Sequence, residues 1–314
     1  VSDLRLKKWL ISYLFITLIS SAQISFAQEK EVHIGVLALW GMQTTHKMWQ
    51  ATINYLNKNI PQYHFILKPL TLDQTEHAVT TDSIDFILTN PGNYIDLEAR
   101  FGVSRLATLK TKLQNKSASQ LSAVIFTRSD RDDIRILQDL RSKSFMAVNK
   151  SAFGGFQMAW LELKTQGINP FEDFSSLQFS GHPQDKIVYA ILQGDIDAGT
   201  VRSGILEQMV ADGLIDINKV KILNRKTNSH FPYLHSTPLY PEWPIAKLRN
   251  TSDELAKKVT ITLLELPAES IAAKQAHSSG WTVPLDYFPV RNLFKELNLP
   301  PYNTPAPSFH EKYW

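Results

Sequence analysis

Three short segments carry the residue types that could hold a negatively charged guest. Lys150-Ser151-Ala152-Phe153-Gly154-Gly155-Phe156 lies between a strand ending at Asn149 and a helix that continues to Gln166. The unpaired amides and dipole of a helix start favour an anion, and glycines let an oxyanion come close to the backbone. Ser151 adds a hydroxyl donor and Phe153 a wall, although the same spacing also suits a plain N-cap and tight turn. Thr89-Asn90-Pro91-Gly92-Asn93-Tyr94 is the upstream counterpart, a strand end opening a helix, and reads either as a structural cap or as side-chain donors with one aromatic ring. Thr200-Val201-Arg202 ends a later strand. Arg202 either offers its forked donors to sulfo- or phospho-oxygens or makes a surface ion pair with Glu207 or Asp212. Trp40, directly after the first strand and before Gly41, either closes the same space or simply packs.

Other chemistries find no support. No Gly-Lys-Ser/Thr follows the glycines at 154 and 155, so the segment is neither a P-loop nor a dinucleotide fingerprint. HExxH and GxSxG are both missing, and no carboxylate and histidine set surrounds a plausible nucleophile, so no catalytic residue is assigned and an enzyme is not expected. The 9 histidines are scattered, and His230 with His235 lacks a ligand pattern, so neither a metal nor another cofactor is expected. Asp195 and Asp197, where a turn leads into a strand, read as a turn and strand-end feature rather than a general acid/base pair. The chain has no cysteine, which removes disulfides and thiol nucleophiles. Lys plus Arg number 33 against 30 acidic residues, far from the excess of a nucleic-acid binder.

These segments need elements to position them. Arg5, Lys7 and Lys8, the apolar run Trp9 to Ile19, and Ser25-Phe26-Ala27 form a signal peptide over residues 1–27, with cleavage expected before Gln28. The alternative, an uncleaved membrane anchor, falls short of the roughly twenty apolar residues a bilayer core requires. A periplasmic location follows. Beyond it, strands at 32–39, 63–70 and 84–88 alternate with helices over 42–60, 74–79 and 93–100, with Pro91 suited to a helix start. The alternation resumes with strands at 121–127, 144–148, 197–201 and 220–223 and helices at 156–166, 187–193 and 204–211. A proline-punctuated stretch then leads to helices at 253–266, 268–277 and 289–297. The fold class read from this is α/β, with mainly parallel sheets flanked by helices and a ligand cleft facing the carboxyl ends of the strands. Residues 28–125 form a first lobe, 126–227 a second, and 228–314 a return to the first with a helical tail.

Several strings together resemble the phosphonate- and phosphate-type periplasmic binding proteins: Ile84 to Pro91, Leu137-Gln138-Asp139-Leu140-Arg141, Ser151 to Gly155, and Gly194-Asp195-Ile196-Asp197-Ala198-Gly199. Phe153 to Trp160, Asp197 to Arg202, Tyr240-Pro241-Glu242-Trp243-Pro244 and Gly280 to Tyr287 are similar, more closely, to the extracytoplasmic sensor region of tetrathionate-responsive sensor histidine kinases. The resemblance implies a two-lobed type II binding-protein fold that closes on an oxyanion, tetrathionate or another sulfur or phosphorus oxyanion. It also implies that Asn90, Tyr94, Ser151, Phe153, Gly154, Gly155 and Arg202 line the cleft; Trp40, Thr89, His182 and Thr200 are the further candidates read from the residues themselves. Where phosphonate binders carry Gly-x-His-Asp, this chain reads Gly181-His182-Pro183-Gln184-Asp185, which displaces His182 and Asp185. The chain stops at Trp314, about where such sensors begin a second membrane helix. The partner is then either the transmembrane and kinase part of a sensor or the permease of an ABC importer.

Overall fold

The computed structural model describes residues 30–303. The signal segment, its cleavage site and the last residues of the tail lie outside that range.

The first lobe opens with strand β1 (Lys30–Leu37), helix α1 (Met42–Asn59) and strand β2 (Tyr63–Leu70). Trp49, Ile53 and Leu56 recur at helical spacing along α1 and are all buried, which holds that face against the sheet. Helix α2 (Leu72–Thr80) starts at a capping box between Thr71 and Gln74. Strand β3 (Phe86–Leu88) runs into helix α3 (Pro91–Phe101), whose start is closed by the Asn90 side chain accepting from the Asn93 amide at 3.0 Å. The helix ends at Gly102, at φ 69°, a left-handed value that glycine adopts without a Cβ clash. Strands β4 (Ser104–Leu113) and β5 (Lys116–Ala118) complete this pass.

The chain crosses at β6 (Gln120–Leu121) into a second lobe of β7 (Ala123–Arg128), β8 (Ser144–Ala147), α4 (Met158–Thr165), β9 (Ser176–Phe179), α5 (Asp185–Gln193), β10 (Ala198–Arg202), α6 (Ile205–Ala211) and β11 (Val220–Leu223). It returns at β12 (Tyr240–Pro241), which pairs antiparallel with β6, so the two crossings lie side by side. Strand β13 (Pro244–Lys247), helices α7 (Asp253–Leu264) and α8 (Ile271–Gln275), strand β14 (Ser278–Thr282) and helix α9 (Phe288–Glu296) follow.

The first sheet has the order β14-β4-β13-β3-β1-β2, with β5 on β4, and the second β11-β7-β10-β8-β9. The two-lobed α/β architecture is therefore as read, but the sheets are not mainly parallel. β13 lies antiparallel to both β3 and β4, β14 is antiparallel to β4, and β7 is antiparallel to β10 and β11. The parallel pairs β1 with β3, β8 with β10 and β8 with β9 are those joined through helical crossovers. Of the antiparallel strands, β7, β10 and β11 fall on runs the alternation gave, whereas β4, β13 and β14 were the ones it did not reveal.

One core fills the first lobe around Ile34, Leu56, Phe65 and Val259, and another fills the second around Phe126, Ile187 and Val201. A third runs through both, joining Tyr94, Tyr287 and Leu293 to Phe153, Phe156 and Tyr240. Each fully buried side chain of this size contributes about 1.5–3 kcal/mol, so the lobes share apolar burial at the crossing. No described helix is long and apolar enough to cross a membrane.

Candidate functional site

Arg202 is the last residue of β10. Along that strand Gly199 faces α5, where an added Cβ would stand 2.8 Å from Ile191, so Arg202, three residues on, faces the opposite side. There its aliphatic stem lies against Gly154, whose added Cβ would be 3.3 Å from the Arg202 Cγ. The Arg202 amide donates to Gln184 Oε1 at 2.8 Å, and the guanidinium donates to the carboxylate of Glu242 and, at 3.4 Å, to the Ser203 carbonyl. Glu242 sits between β12 and β13, is fully buried, and also accepts from Thr111 Oγ1 at 3.4 Å and the Trp243 amide at 3.2 Å. A carboxylate so deeply buried is tolerated because a cation and further donors face it. The pair joins the second lobe to the returning chain of the first.

Arg202 opens onto a cavity of about 570 Å³ lined by residues of both lobes. Trp40, Thr44, Met48, Trp49, Leu109, Thr111, Lys112 and Trp243 come from the first lobe, and His182, Gln184, Ser203, Ile205 and Gln208 from the second. Trp40 is 48% exposed and stacks on buried Trp243, with ring centroids 6.1 Å apart and planes at 14°. Burial pushes the His182 imidazole below its ordinary value, which keeps it neutral near pH 7, and its Nδ1 has no hydrogen-bond partner among the described residues. Formal charge in the lining is Lys112 and Arg202 against Glu242, which leaves the cavity positive.

A second cavity, about 690 Å³, lies beside it and is lined by Asn90, Gly92 and Asn93 from the first lobe and Asn149, Lys150, Ser151 and Gln157 from the second. Asp73, Glu76 and Asp96 outnumber Arg100 and Lys150 there, and Arg100 is already bound to Glu76 and Asp96. By the formal charge of its lining the first cavity is the more favourable of the two for an anion, although its Lys112 is also bound to a carboxylate, Glu269. Between them stands the start of the α4 segment, a π turn over Phe153–Gln157. Phe153 is buried edge-on to Tyr240 at 5.4 Å and touches Gly92, where an added Cβ would be 3.3 Å from its ring. Among the described residues the amides of Phe153, Gly154 and Gly155 donate no hydrogen bond.

The profile of the family described as "ABC transporter, phosphonate, periplasmic substrate-binding protein" matches residues 34–286. The chain belongs to this family. Such proteins bind solutes outside the cytoplasm, so the location of this periplasmic binding protein is extracytoplasmic. The tetrathionate sensor histidine kinase TtrS of Salmonella typhimurium (strain LT2) is 34% identical over 271 residues, covering 86% of this chain and 44% of that protein. The chain thus spans less than half of that relative. Among solved structures, PhnD1 of Prochlorococcus marinus in complex with methylphosphonate superposes with a TM-score of 0.67 at 13% identity, covering 86% of this chain and 99% of its own. The binding protein component of an ABC phosphonate transporter from Pseudomonas aeruginosa does so at 0.65 and 14% identity, covering 91% and 92%. At these identities the likeness concerns the two-lobed fold.

Within this binding protein the residues singled out from sequence fall into four groups. Trp40, His182 and Arg202 line the positive cavity, and Asn90 and Ser151 line the acidic one. Phe153, Gly154 and Gly155 form the partition. Thr89, Tyr94 and Thr200 are fully buried outside both linings. The Thr89 hydroxyl accepts from Asn93 at 2.8 Å, whereas that of Thr200 has no partner among the described residues. The Tyr94 hydroxyl donates to Glu98 at 2.6 Å, and burial together with Glu98 pushes it up to about 12. Neither ion pair considered for Arg202 forms: Glu207 accepts from the Leu234 amide, and Asp212 accepts from Gln208. Its partner, Glu242, and the stacked Trp243 were not picked out as site residues. The available signal was Tyr240-Pro241-Glu242-Trp243-Pro244, where an acid held among aromatics and two prolines is poorly suited to a solvated loop.

Proposed function

We propose that this domain captures a small oxyanion in the positive cavity, with tetrathionate the first candidate, and passes the resulting closure to a histidine kinase part outside this chain. The carrying observation is the guanidinium of Arg202 facing a cavity walled by the stacked Trp40 and Trp243. The cation supplies charge and forked donors, while the aromatic faces suit a polarisable sulfur chain. The relative named for tetrathionate supports that choice. Residues 1–27 export the domain, and the binding site is built from Trp40, His182 and Arg202, with the amides of Phe153 to Gly155 as further donors.

Calorimetric titration with tetrathionate, thiosulfate, sulfate and methylphosphonate is expected to give one clear binder. No heat with any of the four would reject the reading. A second reading, the solute-binding component of a phosphonate-type importer, is favoured by the family profile over residues 34–286. Preference for methylphosphonate in the same titration, together with a reading frame that continues into no membrane segment, would select it.

A further inference from the structure

We infer that Glu242 sets the anion selectivity of the cavity, by holding Arg202 in place while cancelling much of its charge. This deepens the proposed function and rests on an oxyanion binding at Arg202. The Glu242 side chain borders the cavity but is 1% exposed, so it acts chiefly through the guanidinium it binds. Arg202 has three anchors: its stem on Gly154, its amide on Gln184 and its tip on Glu242. The first two already fix its path, so the carboxylate is not required for orientation alone. Its distinct effect is electrostatic, a full negative charge in direct contact with the cation that the ligand must use.

A compact dianion such as sulfate loses a large hydration energy on entering a cavity walled by Trp40, Trp49, Met48 and Trp243. An uncompensated guanidinium could offset that loss, and one already paired offsets far less. The other cation of the lining, Lys112, is likewise bound to a carboxylate, Glu269, at 2.7 Å. What remains favours an anion whose charge is spread out and whose body gains from contact with aromatic rings. Glu242 is thus a positioning residue that excludes strongly hydrated anions.

The test is calorimetry of the wild type, Glu242→Gln and Glu242→Asp with sulfate, methylphosphonate and tetrathionate, each variant first checked for folding by circular dichroism. Gln keeps an acceptor for Arg202 and removes the charge, so affinity for sulfate is expected to rise by about tenfold or more, and affinity for tetrathionate to rise by less. Asp keeps the charge but draws it back by one methylene, so the selectivity ratio is expected to move the same way by less, which also serves if the Gln variant does not fold. Uniformly weaker binding in the Gln variant, or an unmoved ratio in both, would overturn the inference and leave the oxyanion reading intact. A wild type that binds none of the three would overturn both together.

Discussion

Arg202 is held by a partner 40 residues away in sequence, and that pairing governs what its removal does. Arg202→Ala is expected to weaken the bound anion by about 1.5–3 kcal/mol through the lost charge-assisted bonds. It should also destabilise the fold by about 3–5 kcal/mol, because buried Glu242 is left without its cation. Replacing both, as Arg202→Met with Glu242→Leu, should recover most of the stability and none of the binding; urea denaturation and calorimetry on the same samples check both halves. Trp40 gives the opposite pattern. Half exposed and stacked on one face only, it should lose about 0.5–1.5 kcal/mol of binding on replacement by Ala while the melting temperature stays unchanged. The guanidinium at a strand end was legible because its chemistry is local. The carboxylate was not, because only the fold brings 202 and 242 together.

At the scale of elements, the strand-to-helix junctions were read within a few residues, and the strands between them less well. β2 and β11 fall where the apolar runs placed them, since each is bounded by turns and crossed by no other signal. β13 and β14 span only Pro244–Lys247 and Ser278–Thr282, too short for alternation to build up, and β4 carries Arg105, Lys110 and Lys112 among its apolar residues. Missing them turned mixed sheets into expected parallel ones. The junction at Gly155 has a sharper requirement, since an added Cβ would lie 2.3 Å from Val148 Cγ2 and 2.8 Å from Val148 Cβ. Gly155→Ala is expected to cost about 1–3 kcal/mol, and Val148→Ala alongside it should return part of that, measured by thermal unfolding. Asp197 ties the starts of β8 and β10 together. Burial works to raise its carboxyl, but bonds from the Ser144 amide and hydroxyl and from Arg131 outweigh it and hold the group below its usual range. Its contribution to stability is therefore complete above the unfolded value of about 3.9 and is lost as pH falls through the folded one. Asp197→Asn should be less stable than wild type at neutral pH, with the gap closing as urea denaturation is repeated down the acid range; a gap that stays constant would show that the charge plays no part.

Over the whole molecule, two lobes joined by the paired crossings at β6 and β12 share a core that passes directly through the partition between the cavities. The break in alternation after Leu223 revealed that the chain returns, but not that the return strand enters the middle of the first sheet beside β3, a matter of pairing over more than 150 residues. Phe153 is where this architecture meets function. It belongs to the second lobe, presses on Gly92 of the first and packs edge-on to Tyr240 at the crossing, so it is buried only while the lobes are together. Opening the cleft exposes that ring, and the apolar surface it hides stabilises the closed form before any ligand arrives. Phe153→Ala should therefore enlarge the radius of gyration of the unliganded protein in small-angle scattering and lower anion affinity chiefly through faster release. Saturating ligand should restore the compact radius, because the contacts at Arg202 remain. If scattering and affinity both match wild type, the ring is packing within one lobe's core and closure rests on the Arg202–Glu242 pair alone.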